Sequence, residues 1–311
     1  MSSHGIITML TRRTLLAGLG CSVALPALSQ EDWRRSVPEV RIGISSAENE
    51  AGAIARHQPL VEYLSTKLGV PAKLYRVSDY AGLVEAMRAD QLEFSRFGPA
   101  VYALGRRILG DKLEPLFRDV DQHGQEGYFS VVLVRAESPY QSVADLKGKS
   151  FAFADPNSTS GYAFPAYFLR KQGLDPQSHF GGTVFSGGHD NSVLALVRGQ
   201  FDGVATYEVN ANAGVAQRLA ERGMIAKGST RVIWTSPLIP SSPFCTRANL
   251  PAGLKTTYVA AMNAMKDEAP EVWKTFTDGH VSRYAPARHE DYIDVIAVTE
   301  ELDARRKQSR G

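Results

Sequence analysis

Asp155-Pro156-Asn157-Ser158-Thr159-Ser160-Gly161-Tyr162 lies between two stretches of opposite periodicity. Before it, Ser150-Phe151-Ala152-Phe153-Ala154 is a short apolar run that predicts a buried strand. After it, Phe164, Tyr167, Phe168 and Leu169 recur at helical spacing from Tyr162 to Gln172, and Gly173 supplies a stop. Three consecutive hydroxyl residues and a glycine therefore sit on a strand-to-helix turn. The first turn of a helix offers unpaired N–H groups and the positive end of the dipole, which suits an anion, best a tetrahedral oxyanion. Ser, Thr and Asp are also ordinary helix caps, and read alone the stretch favours that simpler role.

Strand and helix alternate along the rest of the chain, which argues for an α/β sheet architecture. Val40–Ile44, Ala72–Val77, Leu92–Phe97 and Gly127–Val134 read as strands. So do Thr183–Phe185, Asp202–Thr206 and Arg231–Trp234. Helices are predicted over Pro59–Leu68, after the Asp79 cap with Leu83, Val84 and Met87 inward, and from Pro99 to about Arg107. Further helices are predicted from His189, over about Glu208–Arg222, and over Leu254–Lys266, Glu271–Thr277 and Tyr292–Leu302. Arg305-Arg306-Lys307-Gln308 reads as a solvated tail, and the proline-rich Pro237–Pro243 as a crossing between lobes.

Composition is that of an ordinary globular protein, 43% hydrophobic and 22% charged. Residues 1–29 read as an export signal of the twin-arginine type: Arg12-Arg13, a short apolar stretch, then Ala27-Leu28-Ser29. Without Arg12 and Arg13 the 35 basic residues equal the 33 acidic ones in number, so the balance carries no footprint for nucleic acid. Of two cysteines, Cys21 falls in this leader, where Gly20-Cys21 hints at lipidation, ranked below simple cleavage. Cys245 stands alone and reads as a buried small hydrophobe. No internal disulfide and no cysteine-based zinc site is expected, nor any other metal or cofactor, because no His/Asp/Glu cluster has ligand spacing. No later segment is apolar for the roughly 18 residues a membrane helix needs.

Several separate stretches resemble, in the same order, the phosphonate-binding periplasmic proteins of ABC importers. They are Asp79-Tyr80-Ala81-Gly82, Gly127-Tyr128, Ser158-Thr159-Ser160-Gly161, Gly188-His189 and Ser236-Pro237-Leu238-Ile239-Pro240. The resemblance implies the type II periplasmic binding fold, with two α/β lobes closing on ligand in a cleft. It places lobe one at 38–134 plus 238–311 and lobe two at 135–237. Carried over residue by residue, it assigns the oxyanion to Tyr80, Tyr128, Ser158, Thr159, Ser160 and His189, the last donating more strongly if protonated. Read alone, Tyr80 and Tyr128 fit aromatic core packing better than a ligand contact.

Two departures bear on the ligand. Relatives that bind an aminoalkylphosphonate use two acids for the amine, and Asn210 and Ser242 stand at those positions, although a slip of two residues would bring in Glu208. Arg96 stands where an aromatic is usual, and reads either as a bidentate anion contact or as a solvated strand-edge residue. The implied function is capture of phosphate, phosphite or a simple alkylphosphonate, by a monomer, for an ABC permease. The alternative is a periplasmic sensor reporting to a membrane histidine kinase. A serine hydrolase built on Ser158 or Ser160 with His189 is the enzyme reading. It lacks the G-x-S-x-G elbow, and its neighbouring His189 and Asp190 would not face each other on a helix.

Overall fold

The computed structural model describes residues 32–45 and 50–308. The export signal over 1–29, with Arg12, Arg13 and Cys21, lies outside the described residues. The chain builds two sheets by leaving the first, completing the second and returning. The outgoing strands are β1 (Val40–Ile44), β2 (Ala72–Arg76), β3 (Phe94–Arg96) and β4 (Leu113–Asp121). Seven further strands belong to the second sheet: β5 (Gly127–Arg135), β6 (Ser150–Phe153), β7 (Gly182–Phe185), β8 (Gly203–Asn210), β9 (Ala213–Gly214), β10 (Thr230–Thr235) and β11 (Ile239–Pro240). The chain then re-enters the first sheet as β12 (Pro243–Arg247) and β13 (Val281–Pro286).

The first sheet runs in the order β13-β4-β12-β3-β1-β2, with β1 parallel to β2 and β3 and the returning strands antiparallel. The second runs β10-β5-β8-β6-β7, with β6 parallel to its neighbours and β5 antiparallel to β8 and β10. Short β9 and β11 pair with β8 and β5 respectively. The α/β architecture is thus as expected, but the boundary at 134 is not. A lobe one that ends at 134 takes in all of Gly127–Arg135 but its last residue, whereas the strand's hydrogen-bonding partners, β8 and β10, are in the second sheet. The first crossing is the turn after β4, where Asp121 Oδ1 accepts from the amides of His123 and Gln125 at 2.8 Å each. The return falls after β11, a few residues beyond the expected 238.

Three other expectations are corrected. The first long helix spans Glu50–Leu68 with Pro59 inside it, so proline does not mark its first turn. Residues 208–210 continue β8 instead of opening a helix, because Glu208 pairs with Phe129 on one side and Gly214 on the other; the helix begins at Val215. The basic tail is helical within Ile293–Gln308, and the Arg306 guanidinium lies 4.7 Å over the Tyr162 ring. Strands β4, β12 and β13 have no clean alternation and were not foreseen. Cys245 is fully buried, as expected. Among the described residues no helix is long and apolar enough to cross a membrane.

One apolar cluster positions the site. Ala100, Phe164, Ile239, Val295, Val298 and Leu302 pack together beneath the Ser158–Ser160 turn. They join the helix that follows the turn to the first-sheet helix Pro99–Leu109, to β11 and to the C-terminal helix. Burying such side chains contributes roughly 1.5–3 kcal/mol each, so the turn rests on a rigid base.

Candidate functional site

The turn is anchored at both ends before any ligand is considered. The buried Asp155 carboxylate accepts from the Asn157 amide at 2.7 Å and from the backbone of Tyr80, across from the other sheet. Burial raises its pKa, and these amides oppose that. Ser158 Oγ accepts from the Gly161 amide at 3.0 Å, and Thr159–Ala163 forms a π-type turn before the α-helix Phe164–Lys171. Gly161 is required by close approach: a Cβ there would lie 2.5 Å from Ala154 Cβ and 2.8 Å from Ser158 Oγ. Thr159 Oγ1 accepts from the Ala100 amide at 2.8 Å, tying the turn to the start of Pro99–Leu109. Ser130 Oγ donates to the Ser160 carbonyl at 2.6 Å.

The turn opens on a cavity of about 230 Å³ walled by residues of both sheets. Tyr80, Tyr128, Ser158, Thr159, Ser160, His189, Arg96 and Ser242 all border it, so eight of the nine positions read from the sequence are brought together. Asn210 is the exception: it ends β8 and its side chain accepts from the Asn212 amide at 3.0 Å, away from the cavity. Glu208 is not on the wall either, and accepts from Gln217 at 3.3 Å. The Tyr80 hydroxyl faces Ser158; that of Tyr128 faces Thr159, Ser242 and Ser160. Burial pushes the Tyr128 phenol up to about 12 and raises Tyr80 well above its ordinary value, so both remain protonated donors.

His189 is at the site as a neutral ring, without the proton that would strengthen it as a donor. Its Nε2 lies 3.2 Å from Ser158 Oγ and its Nδ1 3.0 Å from Thr206 Oγ1. Burial, reinforced by the Arg218 charge, lowers its pKa to about 3, so the ring is neutral. With the hydrogen on Nε2, Ser158 Oγ accepts from both His189 and Gly161, leaving the Ser158 proton for a ligand. The arrangement is not a hydrolase triad. The second imidazole nitrogen meets a threonine, and Asp190 instead binds Arg218 at 2.6 Å.

Arg96 borders the cavity but is ion-paired with Asp119, and it lies 5.7 Å over the Phe244 ring. Arg56 meets Asp278 at 3.0 Å, and Arg222 faces the same carboxylate at 3.8 Å from the other side. Arg56, Asp119, Tyr207, Arg218 and Asp278 all line the cavity and were missed. Arg56 and His57 lie in the half of the first helix that precedes Pro59. His57 is held neutral, near 3, by burial and then by Arg56. Each of these wall arginines is thus matched by an acid, and the donors that converge on the turn are neutral hydroxyls and amides.

The pattern of the family described as "ABC transporter, phosphonate, periplasmic substrate-binding protein" matches residues 42–292. The chain belongs to this family. Its members are substrate-binding proteins of transporters and not enzymes, and they work in the periplasm. The chain is 32% identical over 224 residues to the phosphate-import protein PhnD of Mycolicibacterium smegmatis, covering 69% of this chain and 68% of that one. It is 31% identical over 256 residues to the phosphonates-binding periplasmic protein of Escherichia coli, covering 80% and 69%. Among solved structures it is similar to a binding protein component of an ABC phosphonate transporter from Pseudomonas aeruginosa. That match has a TM-score of 0.76 and 26% identity, covering 86% of this chain and 88% of the other. PhnD1 from Prochlorococcus marinus, in complex with methylphosphonate, shares the fold with a TM-score of 0.73 at 20% identity.

Proposed function

We propose that the chain captures a small phosphorus oxyanion (phosphate, phosphite or a simple alkylphosphonate) and presents it to an ABC permease. The observation that carries this is the convergence of Ser158, Thr159, Ser160, Tyr80 and Tyr128 on one cavity at the start of a helix. Hydroxyls and amides together can satisfy several oxygens of a tetrahedral anion without a free cation. His189 serves by orienting Ser158, and Ser242 and Arg96 lie within the same wall. We read the two sheets as two lobes joined at residues 122–126 and 241–242, with the cavity as the cleft. Export through a twin-arginine signal and action as a monomer belong to the same reading.

An ammonium arm on the ligand is poorly served. Asp119 and Asp278 are each tied to an arginine, Asp121 caps turn amides, and neither Asn210 nor Ser242 offers a charge. The test is calorimetric titration with phosphate, phosphite, methylphosphonate and 2-aminoethylphosphonate, beside a Ser158→Ala/Ser160→Ala double variant. One of the first three should bind, and binding should fall at least about 100-fold in the double variant, as loss of two hydrogen bonds to a charged ligand implies. Preference for 2-aminoethylphosphonate over all three would refute the ligand class. Binding unaffected by the double variant would refute the site.

A further inference from the structure

Behind the cavity wall runs a chain of buried groups that the oxyanion turn does not use. Asp190 is fully buried and receives Arg218 Nη2 at 2.6 Å. Arg218, only 6% exposed, donates its other terminal nitrogen to the Tyr207 hydroxyl, also at 2.6 Å. Tyr207 and Arg218 both border the cavity. The Tyr207 ring stands edge-on to His189 and to Tyr128, with centroids 5.0 and 6.1 Å apart, the two rings that flank the hydroxyl turn.

The geometry fixes what this phenol can do. A guanidinium has donors and no acceptor, so the Tyr207 hydrogen cannot point at Arg218. It must take the other in-plane position, and among the described residues the hydroxyl has no acceptor of its own. The guanidinium bonded to its oxygen polarises the O–H and strengthens it as a donor. Asp190 compensates the Arg218 charge, so the ligand meets a strengthened neutral donor and no free cation, in keeping with the other donors of the site.

We infer that Tyr207 is a further ligand-binding residue whose hydroxyl donates to an oxygen of the bound oxyanion, with Arg218 as a positioning residue that acts through it. This rests on the proposed oxyanion function. The substitution Tyr207→Phe removes one hydrogen bond to a charged group and keeps the ring. Titration with inorganic phosphate and with methylphosphonate should then show affinity about 10–100-fold weaker, with the melting temperature of the ligand-free chain within a few degrees of wild type. Arg218→Lys should weaken binding in the wild-type background and add nothing in the Tyr207→Phe background.

Equal affinity of wild type and Tyr207→Phe would overturn the inference, and additive losses in the double variant would overturn the positioning role. If Tyr207→Phe does not fold, 3-fluorotyrosine placed at position 207 of the full chain carries the test. Its ¹⁹F signal should shift saturably with methylphosphonate, and an unmoved signal would overturn the assignment. Failure of the wild-type chain to bind any oxyanion would instead bring down the functional reading itself, and this inference with it.

Discussion

Gly161→Ala sets two opposed effects against each other at the centre of the site. Alanine is the better helix former by about 1 kcal/mol, so in open space the change would stabilise. Here the new methyl would lie 2.5 Å from Ala154 Cβ, 2.8 Å from Ser158 Oγ and 3.0 Å from His189 Cε1. Ala154 Cβ cannot rotate away, and its backbone accepts from Gly187 at 2.9 Å, so the strain must be taken by the turn. Overpacking of this kind costs typically 1–3 kcal/mol, and it exceeds the propensity gain. The net should be a loss of about 1–2 kcal/mol, or roughly 2–4 °C in melting temperature for a chain of this length. Because the atom displaced is Ser158 Oγ, affinity for the oxyanion should fall as well, by about tenfold or more for one lost charged hydrogen bond. Scanning calorimetry and titration on the same preparation check both. A melting temperature equal to or above wild type, with unchanged affinity, would refute the packing argument and the placement of Ser158.

His189 titrates in the unfolded chain near its ordinary 6.5 and in the folded protein near 3. The unfolded state therefore binds more protons between these values, and stability falls as pH drops through that window, by about 2 kcal/mol from pH 7 to pH 5. Urea unfolding of wild type and His189→Gln at both pH values should show that part of the slope vanish in the variant. Thr159→Val leaves the buried Ala100 amide without its acceptor and should cost about 1–3 kcal/mol of stability, read by the urea midpoint. A cavity whose arginines are already matched should bind its anion with little dependence on ionic strength, less than about threefold in Kd between 0.05 and 0.5 M salt. A steep salt dependence would mean that Arg56 or Arg96 leaves its partner to hold the ligand.

What the sequence disclosed and what it hid follow a physical line. Local signals were legible: Asp79 caps its helix through the Gly82 amide at 2.8 Å, and Leu83, Val84 and Met87 are buried as their spacing implied. Family likeness to the hydroxyl turn, Tyr80, Tyr128 and His189 found a set of residues that does share one wall. Features set by long-range pairing stayed hidden. Strand β4 carries Asp119 but mixes charge, proline and apolar residues without alternation, because its neighbours β12 and β13 come from far along the chain. Arg56 is hidden because Pro59 reads as a first-turn residue yet lies inside the continuous helix Glu50–Leu68, and Tyr207 because the apolar run of β8 stops before it while the strand goes on to Asn210. Asn210 lies off the cavity because β8 ends there and its side chain turns back to the Asn212 amide, a local turn that a family resemblance does not reveal.

The apolar cluster beneath the turn has a mechanical consequence. Phe164, Ile239 and Val298 clamp the anion end of the cleft to helices on both sides, and the Thr159–Ala100 bond adds a pin at the same place. Elsewhere on the wall Arg222 reaches across to Asp278, beside the crossing turn in which Gln122 donates to the Gly279 carbonyl at 3.3 Å. On the proposed reading the grip on the phosphorus oxygens is therefore preset, built into the packing of the turn before any ligand arrives.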